Sequence, residues 1–348
     1  MNFSLSDEQQ LLRDTARIML AKECPTALLR AHIDDPAAAD PLWERLRDFS
    51  ALGSGPCADL CLFLEELGYV AAPGVFFPTV ALAAPVLAAA GPAHQDVLET
   101  LLAGTATATL ALAGADGAWR LNAEPVKTFV AEADRVDWIV VVNDGAEGDR
   151  AADAGARVQL VAPSDAEVRR VETIDFSRRM FEVTASAADA NAASDAEIDR
   201  TALDAALVRA TVAAAAELVG TARRSFDMTL AYAKERVQFD VPIGSFQAIQ
   251  HRLAECSLGV ERAIAAVQHA ALAVDADDAG QFRAAHVAKA AAGSAATRAA
   301  KDAQQVHGGI GYTWEHDLHL FTRHAYGSEH WLGTTTWHHD RLAELLFD

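Results

Sequence analysis

Gln304-Gln305-Val306-His307-Gly308-Gly309-Ile310-Gly311-Tyr312 closes a long helical pattern with a run of glycines. Glycine has no side chain, so backbone in such a run can approach a ligand closely. Alone, the stretch reads equally well as a helix cap and turn. A second block lies upstream: Glu235-Arg236-Val237-Gln238-Phe239-Asp240-Val241-Pro242-Ile243, then Phe246-Gln247-Ala248-Ile249-Gln250-His251. Arg236 ends one helical pattern, and Pro242-Ile243-Gly244 turns the chain into the next. A guanidinium at such a junction can grip a pyrophosphate with forked hydrogen bonds. It can also simply compensate the helix end.

Outward from these blocks, the last third of the chain is helical. Leu203–Arg236, Ser245–Val274 and Gln281–Val306 carry long 3.6-residue patterns, and Trp337–Leu346 forms a final short one. Gly220 interrupts the first, as close helix approach requires. The first hundred residues are helical too. Ser6 and Gln9 form a capping box ahead of the apolar face Leu11, Leu12, Ala16, Ile18, Met19 and Leu20. Pro25 stops that helix. Further helices are expected at Pro41–Phe49, at Cys57–Leu67 with Gly68 as a left-handed cap, at Thr79–Ala90 and at His94–Ala103.

The middle changes period. Thr107–Ala113, Trp119–Ala123, Lys127–Val130, Trp138–Val142, Val158–Ala162, Arg170–Ile174 and Met180–Thr184 are short, valine-, threonine- and aromatic-rich segments separated by glycine and Asn143-Asp144-Gly145. Ala185–Asp195 reads as an exposed linker. The expected architecture is α+β: a helical domain over 1–104, a small β domain over 105–187 and a helical bundle over 188–348.

Composition narrows the function. Hydrophobic residues make up 51% of the 348, so the chain can bury ample cores and is not disordered. The net charge of -20 argues against nucleic acid and anionic membranes, both of which need clustered lysine and arginine. No signal peptide or transmembrane span is evident. Cys24, Cys57, Cys61 and Cys256 read as reduced, buried thiols of a cytoplasmic protein rather than metal ligands. No metal set is expected, although His330, His338 and His339 cluster.

In their order and spacing, the two blocks resemble the acyl-CoA dehydrogenase family of flavoenzymes. That pattern is arginine–x–glutamine–phenylalanine–glycine–x–proline–isoleucine, then phenylalanine–glutamine–x–x–glutamine, two helices, and glutamine–x–x–glycine–glycine–x–glycine–tyrosine. Phe3-Ser4-Leu5-Ser6-Asp7-Glu8-Gln9 and Leu64-Glu65-Glu66-Leu67-Gly68 extend the similarity over the full length. The resemblance implies FAD at a subunit interface. Arg236, Gln238 and Phe239 would reach the pyrophosphate of an FAD held mostly by a neighbouring subunit, and Gln305 and Gly309 its adenosine half. Thr334 and Thr336 would touch the cofactor of their own subunit. The implied reaction is α,β-dehydrogenation of an acyl-CoA, with a glutamate taking the α-proton, a hydride passing to flavin, and electron-transfer flavoprotein as acceptor.

The departures carry the functional reading. Leu332 stands where the family places its glutamate, and a general base is worth about 10²–10⁴-fold. The alternative helical position falls near Ala210, also without a carboxylate, while Asp204 and Glu217 lie nearly two turns away. Glu329 is a weak substitute, three residues upstream. Asp240 replaces a glycine beside the phosphate-binding arginine. The loop that covers flavin and thioester is reduced to Ala111-Leu112-Ala113-Gly114-Ala115-Asp116-Gly117. The strand beside the flavin is Phe129-Val130-Ala131, where Ala131 lacks a hydroxyl. These losses fall on one half of the site, while the across-interface half survives. The pattern is similar to the glutamate-lacking subunits of actinobacterial α2β2 acyl-CoA dehydrogenases, several acting on steroid side chains. It implies a homologous partner subunit. Two rival expectations are a self-sufficient homo-oligomer with a non-standard base and a scaffold without flavin.

Overall fold

The computed structural model describes residues 3–144, 155–185 and 195–347. The N-terminal helices are α1 (Asp7–Glu23), α2 (Thr26–Asp34), α3 (Asp40–Leu46), α4 (Cys57–Tyr69), α5 (Ala84–Ala89) and α6 (Gln95–Leu102), with a π-helical segment at Pro78–Ala83. The capping box forms as expected: Ser6 Oγ accepts from the Gln9 backbone and the Gln9 side chain from the Ser6 backbone, each at 3.2 Å. Two donors that α1 cannot satisfy internally are thereby paired.

The strands follow: β1 (Ala108–Ala111), β2 (Val126–Ala131), β3 (Trp138–Asp144), β4 (Ala156–Val161), β5 (Ala166–Val171), β6 (Met180–Ala185) and β7 (Asp195–Ile198). They form a four-stranded sheet, β1-β3-β4-β7, and a three-stranded one, β2-β6-β5. Among the described residues, only β1–β3 pairs parallel. Trp119–Ala123 is not a strand but irregular backbone, pinned where Asn122 donates to the Leu112 and Arg120 carbonyls. β5 starts earlier than Arg170 and stops before Ile174. The expected linker has Ala185 in β6 and Asp195 in β7, and its residues 186–194 lie outside the described ones, as does Gly145. β7 pairs with β4, so sheet structure continues past residue 187.

Four long or medium helices then form the bundle: α7 (Arg200–Glu235), α8 (Gln247–Asp275), α9 (Gln281–His307) and α10 (Leu318–His330), followed by α11 (Thr335–Phe347). Strands β8 (Val237–Gln238) and β9 (Val241–Pro242) join α7 to α8. Asp199 caps α7 by accepting from Thr201 and Ala202 N–H. α7 packs on α4, α8, α9 and α10, and its buried Ala213–Ala216 run lets those helices come close. At the α4–α7 crossing, a Cβ on Gly220 would lie 1.9 Å from the Glu65 carbonyl oxygen, and one on Gly68 2.0 Å from that of Glu217. Gly220 therefore serves close approach as expected. Gly68 does the same rather than capping α4, which runs on to Tyr69, and Ala71 takes the left-handed conformation instead (φ 50°).

α10 had no counterpart in the sequence reading. Its apolar residues Leu318, Leu320, Phe321 and Ala325 alternate with histidine, threonine and arginine, and the histidines and threonines among them are themselves buried. The four cysteines are free and buried, and burial pushes the Cys24 thiol up to about 12, which keeps it protonated and inert. No described helix is long and apolar enough to cross a membrane.

Candidate functional site

The α7–α8 junction builds the first region. Val237 pairs with Pro242 and Gln238 with Val241, leaving Phe239 and Asp240 as a two-residue turn. Both have positive φ, 53° and 64°, the conformation of a tight hairpin turn. That accounts for a glycine at position 240 in the family pattern, and aspartate tolerates the region better than most residues. Phe239 does not: a bulky residue there costs roughly 1–3 kcal/mol, and its ring is 88% exposed. It gains only an edge contact with Phe246, centroids 6.3 Å apart. Arg236 is exposed and makes no ion pair among the described residues. Gln238 is exposed too, its amide turned onto the Val237 carbonyl.

The glycine run lies at the same end of the bundle. Tyr232, in the last turn of α7, stacks on His307, in the last turn of α9, with ring centroids 4.2 Å apart. Ala233, Leu253 and Val306 form a small buried cluster beneath them, with Ile243 and Ile249 against it. His307 Nδ1 donates to the Ala303 carbonyl, and burial lowers its pKa, so the ring is neutral near pH 7. Gly308 ends α9 at φ 64°. Gly309 has ordinary φ, is exposed, and a Cβ there would meet nothing within 4 Å. Among the described residues, no neighbour requires glycine at 309. Gln305 is exposed one turn earlier, and Ile310, Tyr312 and Trp314 extend the exposed apolar surface.

The second region lies between the β sheets and the α10–α11 loop. A cleft of about 250 Å³ is lined chiefly by Trp119, Phe129, Met180, Tyr326, His330 and Trp331. Phe129 sits at a bulge of β2, with φ 55°. Behind the cleft, Arg178 lies over the Trp331 ring, 4.0 Å from its centroid, and makes a bidentate pair with Glu217 at 2.6 and 2.7 Å. It also donates to Ser328 Oγ. Phe77 and Trp119 pack on Trp331 from other sides. Next to this pair, Asp175 contacts Ser177 and His324. Burial alone would raise the Asp175 carboxyl, but His324, Arg178 and Ser177 overcome it and hold it at about 2.

Leu332 is buried, 5% exposed, in the left-handed region at φ 57°, followed by Gly333 at 101°. Its loop is clamped through the backbone. His338 Nε2 donates to the Leu332 carbonyl. Lys289 Nζ donates to the Glu329 and Gly333 carbonyls. Glu329 Oε1 accepts from Thr335 N–H at 2.6 Å, so this carboxylate caps the start of α11. Thr334 Oγ accepts from Trp337 N–H, and Thr336 is exposed. His338 is buried against His286, while His330 and His339 are exposed, and the described residues hold no metal-ligating cluster. Ala210 is buried in α7.

Lys289, Glu217 and Arg178 were missed as site residues. The first two had a signal, a lone charge inside an alanine-rich run. Burial pushes the Lys289 amine down to about 7, opposed by Glu329 and Glu217. A neutral amine has two N–H donors, matching its two carbonyl acceptors. Between pH 7 and 10.5 the unfolded lysine stays protonated while the folded one does not. The unfolded state then binds more protons, so this residue's contribution to stability rises with pH over that window. Denaturant melts of wild type and K289M should diverge from pH 7 to 10 and run parallel below 7; a constant difference would refute it.

The profile described as the C-terminal domain of acyl-CoA dehydrogenases matches residues 200–347. Acyl-CoA dehydrogenase IpdE2 of Mycobacterium tuberculosis is 30% identical over 334 residues, 92% of each chain. In the ChsE4-ChsE5 complex from Mycobacterium tuberculosis, one chain superposes with a TM-score of 0.86 at 25% identity, over 99% of both chains. A variant of the Tcur3481-Tcur3483 steroid ACAD gives 0.84 at 27% identity, over 99% of this chain and 98% of that one. Full-length likeness to these proteins, with the two motif blocks at one bundle end, places the chain in the acyl-CoA dehydrogenase family of oxidoreductases.

Proposed function

We propose that this protein is the base-lacking subunit of a heteromeric, FAD-dependent acyl-CoA dehydrogenase, and that it completes the FAD site of a homologous partner subunit. The observation that carries the reading is the contrast between its two regions. At the bundle end, Arg236, Phe239 and Gly309 are exposed and have no internal role that explains them. This fits a pyrophosphate and adenosine approaching from another subunit, with Gln238 and Gln305 alongside. In the loop that follows Trp331 of the chain's own cleft, hydrocarbon stands at Leu332, and the Glu329 carboxylate is bound to Thr335 N–H. Ala131 offers no hydroxyl, and Trp331 is enclosed by Arg178, Phe77 and Trp119. These features favour a cleft without a working flavin and thioester of its own.

A bound flavin supplies a hydride acceptor. The chain's own residues bind and orient it across the interface: a guanidinium neutralises phosphate charge, and glycine backbone admits the nucleotide. The α-proton of the acyl-CoA must then go to a carboxylate of the partner. Two relatives support the hetero-oligomeric form, since each is named for two different chains, and one of those names points to a steroid-derived acyl group. An α2β2 assembly in the cytoplasm, reoxidised by electron-transfer flavoprotein, completes the reading.

Coexpression with a homologous subunit carrying the family glutamate tests it. The expected product is a hetero-oligomer with one flavin per pair of unlike chains, active on an acyl-CoA, and unchanged in turnover by E329Q. A chain that turns over acyl-CoA alone at the rate of the complex would overturn the proposal in favour of a self-sufficient enzyme. A complex without flavin absorbance would leave only a scaffold.

A further inference from the structure

The loop between β1 and β2 carries Trp119 into the wall of the cleft, and its Gly117 lies against Phe129 of the same wall. Its backbone turns back over Gly114 to Gly117, where Gly117 N–H bonds the Gly114 carbonyl and Gly117 has φ 75°. Ala115 N–H, between Gly114 and Asp116, is a backbone donor that can bind an anionic oxygen. It is already taken: Glu124 Oε2 lies 2.7 Å from it. The carboxylate sits so close that a Cβ on Gly114 would meet the same oxygen at 2.9 Å. Glycine at 114 is thus explained by Glu124 itself. Asp116 shares the loop and engages Arg120, while Lys127, within reach of the Glu124 charge, spends its hydrogen bonds on Asn122.

We infer that Glu124 is a specificity-determining residue that keeps anionic nucleotide out of this chain's own cleft. A carboxylate on the same chain, nine residues from its amide partner, competes at a high effective concentration. An incoming pyrophosphate would have to displace it and then lie beside it, and like charges so placed repel. The inference rests on the reading that this subunit serves its partner's FAD. It adds that the subunit rejects a nucleotide of its own by charge, and does not merely lack a base.

The test uses the flavin-saturated hetero-oligomer, in which the remaining nucleotide positions are this chain's own clefts. ADP is titrated into wild type, E124A and E124Q, with hydrogen exchange followed over residues 112–118. Both variants should bind ADP at least about tenfold more tightly than wild type. ADP should slow exchange at 112–118 only in the variants. E124Q retains the shape of the contact, so a gain there isolates the charge. Wild type binding ADP as tightly as the variants, with protection at 112–118, would overturn the inference. So would variants that gain nothing while their loop exchanges as in wild type. An oligomer purified without flavin would sink the reading beneath it alone, because exchange at 112–118 still reports this cleft.

Discussion

Truncating either member of the Arg178–Glu217 pair, as R178A or E217A, should destabilise the protein by roughly 3–5 kcal/mol. The side chains are 7% and 1% exposed, so solvent does not screen them. Removing one strands the other as an unpaired charge in the core, which is far costlier than the net worth of the pair. Both are already committed: Glu217 accepts both guanidinium bonds, and Arg178 also holds Ser328 and the Trp331 face. Replacing both at once with apolar residues, as in R178M with E217L, should recover part of the loss, because neither member is then left without the other. Guanidinium melts of the two single variants and the double variant check this. Single losses below about 1 kcal/mol would show that water reaches the pair. The result bears on function because the same pair backs the Trp331 wall of the cleft. A stable double variant would show that the pair is not needed for folding.

The sequence made some of this legible and hid the rest for physical reasons. Local chemistry read well. The Ser6–Gln9 capping box, the long helices of the bundle and the close approach at Gly220 each depend on residues near in sequence or on one unmistakable glycine. Gly68 misled because a glycine at a helix end has two uses, and only the position of α7 decides between them. Trp119–Ala123 carried strand composition, but Asn122 satisfies the local carbonyls itself, so no ladder forms. α10 was missed because its buried face holds His319, Thr322 and His324, which a hydrophobic pattern cannot register. The motif residues Arg236, Gln238, Phe239, Gln305 and Gly309 do lie exposed at one end of the bundle. The packing of the second region was not legible. Arg178 meets Glu217 across 39 residues and Ser328 across 150. Glu329 looked like a spare carboxylate until the start of α11 was seen to need it.

Arg236→Ala should strip flavin from the hetero-oligomer while leaving the fold alone. Charge-assisted hydrogen bonds from a guanidinium to phosphate are worth about 1.5–3 kcal/mol, so flavin should bind about 10- to 100-fold more weakly. The fold should not respond, because Arg236 is exposed and unpaired among the described residues, and such substitutions stay within about 0.5 kcal/mol. This separation is the diagnostic feature. A helix-end charge compensator would lose a little stability and no flavin; a cofactor ligand loses flavin and no stability. R236K should recover part of the affinity, since an ammonium keeps the charge but not the fork. D240N should move the other way, tightening flavin at low ionic strength by removing a carboxylate from the same turn, with the gain fading as salt screens it. Flavin affinity is read by apoprotein titration and stability by thermal melting of the same preparations without flavin, since bound flavin itself adds stability. Equal flavin affinity for wild type and R236A would mean that the surviving half of the site belongs to this chain's own packing, and the case for a shared nucleotide would lose its strongest residue.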